Sequence, residues 1–204
     1  MYIPSSYKNE NLEEVKSFVK EYSFGILVNQ VEGKPWATHI PMELEKDSNG
    51  KDVLVGHIAK ANPQWKSFSK DAEVLCIFNG PHAYISSSWY KAEEVPTWDY
   101  IAVHIYGTLR VLNHDETMQS LQRLVDRYEA SSRNPVSLHH LSPKTLRQVK
   151  GIVAFSITIG KIQAAYKLSQ NRPEDHQSII QHLSKKSVTE GEIATQIRKH
   201  SKNN

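Results

Sequence analysis

Cysteine is the first shortage: Cys76 stands alone among 204 residues, so no internal disulfide framework can hold the fold together. Such usage suits a reducing compartment, and the cytoplasm is the expected one. Long apolar runs are missing too. No stretch approaches the roughly 20 residues that span a bilayer, so no membrane segment is expected. The opening Met1-Tyr2-Ile3-Pro4 has no basic region and no apolar stretch behind it, unlike a secretory signal. A large charge excess is also lacking. The formal net charge of +3 is too small to argue for nucleic acid by itself. The ten histidines are scattered. They form no HExxH and no Cys/His cluster of zinc spacing, so no metal site is expected. There is no GxGxxG fingerprint and no P-loop, and no Ser/His/Asp arrangement can be supported from spacing.

What is present is a globular composition, 39% hydrophobic and 9% aromatic, in a chain long enough for one sizeable core, or for a core with a small appended lobe. Leu12, Val15, Phe18, Val19 and Tyr22 share one face of a helix. Phe24 to Asn29 reads as a short strand, and Gly33-Lys34-Pro35 as a turn. Then Trp36, Thr38, Ile40, Met42 and Leu44 alternate with Ala37, His39, Pro41 and Glu43 along a strand. Asp47-Ser48-Asn49-Gly50 carries hairpin chemistry, and Val53 to Ala59 follows as a strand. Asn62-Pro63 opens a short helix through Trp65 and Phe68. Val74 to Phe78 reads as a buried strand broken at Asn79-Gly80-Pro81.

Ile101 to Leu112 is a long strand with Val103, Ile105, Leu109 and Val111 on one face. A helix over 114–130 begins with a capping box at Asn113 and Glu116, and Ser142-Pro143 starts a short one. Val153, Phe155, Ile157 and Ile159 alternate along a last strand that continues toward Tyr166. Two helices end the chain, Pro173–Lys185 and Glu190–His200, the second with Thr189 and Glu192 as a capping box and Val188 and Ile193 as a staple. Short, turn-punctuated strands that do not alternate with helices argue for an antiparallel barrel with peripheral helices. The expected division is a core over 1–172 and a helical hairpin over 173–204 packed on it.

Three segments could carry chemistry. In Gly56 to Trp65 a strand delivers His57 and then Lys60 into a helix start with Asn62 at its cap, an arrangement that suits a phosphate. An ordinary strand-to-helix turn with a solvated lysine reads the same way. In Asn79 to Tyr90, His82, Tyr84 and Trp89 flank three serines, and Trp98 and Tyr100 follow. Flat rings beside hydroxyls suit a planar heterocycle, as they also suit a loop buried on a core. In Lys167 to Arg172, both end residues could neutralise a phosphate or a carboxylate. Cys76 reads as an inert buried thiol, and His104 receives no catalytic role.

Taken in order, His57-Ile58-Ala59-Lys60-Ala61-Asn62-Pro63-Gln64-Trp65, Phe78 to Ser86, Val95-Pro96-Thr97-Trp98 and Lys167-Leu168-Ser169-Gln170-Asn171-Arg172 resemble the signature blocks of the PaiB-type proteins over nearly the whole chain. The resemblance implies an α+β, mainly β fold: the FMN-binding Greek-key split barrel of pyridoxamine-phosphate-oxidase-like proteins, with peripheral helices. It implies FMN as the cofactor and a homodimer with flavin sites near the subunit interface. It also implies negative transcriptional regulation, in sporulation and protease synthesis for the founding type. Carried over by position, Lys60, His57 and Asn62 would hold the FMN phosphate, with further contacts from the strand containing Thr38 and His39. Trp89, Trp98, Lys167 and Arg172 complete the candidate flavin set. The oxidases carry an arginine-led, lysine-ended block where this chain has Thr38-His39-Ile40-Pro41-Met42, which counts against pyridoxamine-phosphate oxidase activity.

Two other functions compete. The segment Lys185 to Asn204 holds five Lys/Arg against two Glu, superficially like a DNA-binding helix-turn-helix. A helical hairpin burying its Ile and Leu stripe accounts for the same residues, and the low net charge favours it. A flavin-dependent oxidoreductase, or a haem-binding protein on the same barrel, is the other alternative. No acid or base stands out for it.

Overall fold

Turn chemistry sets the first three strands. In the computed structural model, which describes residues 1–68 and 73–201, helix α1 (Leu12–Glu21) leads into β1 (Phe24–Val31) and β2 (Lys34–Lys46). Val31 pairs with Lys34, so only Glu32 and Gly33 form the turn. Both have positive φ, 52° and 75°, which suits a two-residue hairpin whose twist matches its strands. The turn therefore lies one residue earlier than the Gly33-Lys34-Pro35 reading, and Lys34 and Pro35 already belong to β2. The next turn uses the Asp47 carboxylate, which accepts from the Asn49 and Lys51 amides at 2.8 and 2.9 Å. It delivers β3 (Asp52–Ala59) antiparallel to β2.

After β3 come a 3-10 turn over Pro63–Ser67 and then β4 (Glu73–Ile85), β5 (Thr97–Val111), helices α2 (His114–Glu129) and α3 (Pro143–Leu146), and β6 (Ile152–Lys167). Helices α4 (His176–Leu183) and α5 (Val188–Ser201) follow. The strands hydrogen-bond in the closed order β1-β2-β3-β6-β5-β4. β4 does not extend the hairpin series. It returns to β1, with Leu27 opposite Cys76, while β3 pairs with β6. This is the Greek-key connection expected of an antiparallel barrel. Among the described residues, no helix is long and apolar enough to cross a membrane.

The chain forms two compact units. One comprises residues 19–77 and 105–162, with Leu27, Met42, Leu54, Ile105, Phe155 and Ile157 fully buried. The buried Cys76 thiol belongs to this core, and burial pushes its pKa far up, as befits an inert side chain. The other comprises residues 1–18, 78–104 and 163–204, with Phe78, Ile85, Ile101, Leu168, Ile179, Leu183, Ile193 and Ile197 at its centre. The apolar stripes of α4 and α5 are thus spent on packing inside their own unit. Two cations of α5 and one from the link before it are engaged there as well: Arg198 with the Ser184 hydroxyl, Lys199 with Glu14 and Lys186 with Glu190.

Several local expectations change. β4 is not broken at Asn79-Gly80-Pro81. Its buried positions run Val74, Cys76, Phe78 and then Pro81, Ala83, Ile85, so the strand continues with its facing parity inverted, as an inserted residue demands. Trp98 and Tyr100 lie on β5, not in a loop. Val111, at the far end of that strand, is exposed. On β2 it is Glu43, 5% exposed, that is buried more fully than Leu44, because Arg127 and the Tyr128 hydroxyl of α2 reach its two carboxylate oxygens. The second C-terminal helix starts at Val188, and Glu190 bonds back to the amide and hydroxyl of Ser187. The expected Thr189–Glu192 box is displaced by that pair, and Val188, 82% exposed, staples nothing.

Gly107 on β5 marks a close approach. A Cβ there would sit 2.3 Å from the Thr158 carbonyl oxygen and 2.8 Å from the Ile157 side chain. Backbone cannot step aside cheaply, so Gly107→Ala is expected to cost about 1–3 kcal/mol. Gly151→Ala, where nothing lies within 4 Å, should stay within about 0.5 kcal/mol of wild type. Paired denaturant or thermal unfolding curves check the contrast, and equal stabilities would contradict the packing.

Candidate functional site

The strand-to-turn junction after β3 is built from polar contacts. Lys60 donates its amide to the Gly151 carbonyl and its own carbonyl accepts from the Trp65 indole N–H, both at 2.8 Å. Asn62 uses its Oδ1 to cap the Gln64 amide at 3.0 Å and its Nδ2 to reach the Thr38 hydroxyl at 2.9 Å. Pro63 has no N–H to offer. The donors expected to stand free at this helix start are therefore largely spent, and the short turn Pro63–Ser67 is self-capped. What stays free is the Lys60 side chain, whose ammonium has no partner among the described residues.

Lys60 lines a cavity of about 430 Å³ together with Trp65, Asn113, His114, Lys150 and the β6 residues Ile152 to Ala154. Among the described residues Lys150 also has no ion-pair or hydrogen-bond partner, and none of those lining the cavity is a carboxylate. Two ammonium groups, unpaired among the described residues and lining a space with no described acid, form a donor set suited to a phosphate dianion. The other residues proposed for this region are arranged differently. His57 is half-buried on β3, and burial lowers its pKa, so it contributes a neutral ring and no positive charge. His39 is exposed and its ring stacks on Phe24, 6.4 Å between centroids. Thr38 and His39 project from opposite faces of β2, and only Thr38 is joined to Asn62.

The second group of candidates lies in the other unit. Lys167 donates to the Thr97 hydroxyl and to the Trp98 carbonyl, the latter at 2.8 Å. Burial lowers its pKa while the Asp99 carboxylate acts the other way. Arg172 is paired with Glu94 and lies over the Tyr90 ring, 4.4 Å from its centroid. Both cations already have protein partners, so they are less available to a ligand than Lys60. Trp89 is stacked face to face with His182, 5.0 Å between centroids and 7° apart. Trp98 stands on the outer face of β5 beside His82 and Tyr84 at 5.7 and 6.1 Å, and both Trp98 and Tyr84 are exposed. This row presents open ring surface.

Sequence reasoning missed two buried polar residues, one in each unit. Gln64, fully buried, donates to the Leu27 carbonyl and to Asn29 and accepts from Thr38. Asp99, fully buried, accepts the Ser169 hydroxyl at 2.6 Å on one oxygen, while its other oxygen has no hydrogen-bond partner among the described residues. Ser169 sits at φ 54°, a left-handed conformation that side chains other than glycine's adopt at a cost. Its carbonyl is held by His176 Nε2 at 2.8 Å. Asp99 was legible: extending the Ile101, Val103, Ile105 alternation back one step puts it inside. Gln64 lies within a signature block, but its burial was not legible, because a five-residue turn has no periodicity to read.

Comparisons with known proteins point one way. A family model described as "Putative FMN-binding domain" matches residues 1–161. "Protease synthase and sporulation protein PAI 2" of Bacillus subtilis is 49% identical over 185 residues, covering 90% of this chain and 89% of that one. An uncharacterised protein of Emericella nidulans is 27% identical over 83% of this chain and 84% of its own length. Among solved structures, the FAD and heme binding protein from Mycobacterium smegmatis superposes with a TM-score of 0.61 at 16% identity, over 79% of this chain and 73% of that one. A flavocytochrome from Azotobacter vinelandii matches with the same TM-score at 14% identity, over 78% and 69%. At those identities the structures establish a shared fold, the split barrel, and nothing finer.

Burial pushes the Asp99 carboxyl up to about 6. Its folded pKa then exceeds the unfolded value near 3.9, so the folded chain holds the extra proton between those limits and loses stability as pH rises through about 4 to 6. Asp99→Asn is expected to flatten that decline. Unfolding free energies of both proteins across this range check it, and parallel curves would show that Asp99 titrates normally.

Proposed function

The chain belongs to the FMN-binding domain family, and we propose that it holds FMN by the phosphate at Lys60, in a cytoplasmic homodimer whose output is negative regulation of transcription. FMN is the cofactor of this family. The observation that carries the site is the Lys60 ammonium, unpartnered among the described residues and set with Lys150 in a cavity that no described carboxylate lines.

Each residue has a physical task in this reading. Lys60 neutralises the phosphate, with Lys150 adding a second positive charge. Thr38 and Asn62 brace the turn that presents Lys60, and neutral His57 offers a hydrogen bond without charge. The proposed flavin contacts further include His39, Trp89, Trp98, Lys167 and Arg172. Trp98, with its exposed face, suits a flat ring. When bound, FMN supplies an isoalloxazine that accepts and returns electrons. The regulatory part of the proposal rests on likeness to the Bacillus subtilis protein, which is named for protease synthesis and sporulation.

Titrating the purified protein with FMN while following flavin fluorescence tests this. Saturable quenching is expected, and Lys60→Ala should weaken FMN roughly tenfold to a hundredfold. Riboflavin, which lacks the phosphate, should be little affected by the same substitution. Unquenched FMN at every concentration would overturn the site, and a monomeric mass by light scattering would overturn the homodimer.

A further inference from the structure

We infer that Gln64 is the positioning residue that fixes the Lys60 turn in its phosphate-holding form, through a closed set of hydrogen bonds to β1, β2 and Asn62. The inference rests on the reading of Lys60 as the phosphate holder and assigns a role to a side chain that touches no ligand.

The Gln64 carboxamide is fully buried and its hydrogen-bonding groups are engaged on three sides. Nε2 donates to the Leu27 carbonyl at 3.1 Å and to Asn29 Oδ1 at 3.0 Å, both on β1. Oε1 accepts the Thr38 hydroxyl of β2 at 2.5 Å. The same Thr38 oxygen accepts Asn62 Nδ2, and Asn62 Oδ1 accepts the Gln64 amide. Thr38, Gln64 and Asn62 thus close a ring in which each holds the other two. Rotating the carboxamide by half a turn would set its oxygen against the Leu27 carbonyl and Asn29 Oδ1, so one orientation is selected. Asn62 in turn closes the Ala59–Asn62 turn, its amide on the Ala59 carbonyl at 2.9 Å, and Lys60 lies inside that turn.

The residue type matters. Two donors and one acceptor are required at a site without water access, and only a carboxamide of this length supplies them. Leucine would leave the Leu27 carbonyl, Asn29 and Thr38 without this partner. Ionised glutamate would face two oxygens with no proton to give, whereas protonated glutamate would restore one donor and the acceptor. Losing the ring releases Asn62, and with it the conformation of Lys60. A ligand held by its phosphate then suffers, while one lacking the phosphate does not.

The experiment uses the full chain with Gln64→Leu, Gln64→Glu and Lys60→Ala. Hydrogen exchange at residues 59–62 is measured without flavin, and dissociation constants are measured for FMN and riboflavin. Gln64→Leu is expected to speed exchange in the turn and raise the FMN constant roughly tenfold, with riboflavin unchanged. In a Lys60→Ala background it should add no further loss, because both act through one contact. Gln64→Glu should regain FMN affinity relative to wild type as pH falls through the carboxyl range, and it decides the matter if the leucine variant does not fold. Unaltered exchange in the turn would overturn the inference whatever the flavin result. Equal losses for FMN and riboflavin, or additive effects with Lys60→Ala, would reduce Gln64 to a general support and overturn it too. Failure of wild type to bind FMN would instead defeat the reading of Lys60, which the exchange data do not use.

Discussion

The sheet depends on β1 having two partners. Along its length β1 pairs with β2, and at Ile26 to Val28 it also pairs with β4. A hairpin series alone would leave β1 as an edge, with a row of unmet amides and carbonyls. Returning the chain from β3 to the far side of β1 removes that edge and closes the order β1-β2-β3-β6-β5-β4. The connection that makes this return is the segment carrying Lys60, Asn62 and Gln64. The stretch that solves the topological problem therefore also presents the candidate site, and its buried polar side chain is satisfied by the strands it must pass.

The candidate site cations are handled in opposite ways in the two units. In one, Lys60 and Lys150 stand, among the described residues, without partners beside a cavity that no acid lines, which is a poor arrangement for an unliganded protein and a good one for binding an anion. In the other, Lys167 and Arg172 are committed to Thr97, Trp98 and Glu94. A carboxylate with an unpaired oxygen, Asp99, is buried there against a serine of positive φ. Strain and desolvation cluster where function does more often than elsewhere. Even so, the free cations make the sharper claim on a phosphate, because committed cations must first give up existing bonds.

Much of the fold was legible because it rests on short-range rules. Capping at Asn62 and at Asn113–Glu116, the turn at Asp47–Gly50 and the alternation along β6 each follow from a few neighbouring residues. The misreadings share one cause. Glu43 buried in place of Leu44 is settled by a partner distant in sequence, while the parity inversion in β4 and the Ser187 cap come from shifts of one and two residues. A local pattern leaves such outcomes undecided.

The sequence by itself determined the fold class, the family and the turn on which Lys60 sits, since motif blocks, caps and strand periods are written in consecutive residues. Tertiary structure alone decided which cations are free. Lys150 comes beside Lys60 from about ninety positions away, while Lys167 and Arg172 lose their freedom to β5 and to Glu94. Gln64 acquires its role only when β1 and β2 surround it. Availability of a charge or an amide depends on what the folded chain places within about 3 Å of it, and that distance is set by packing across the sequence.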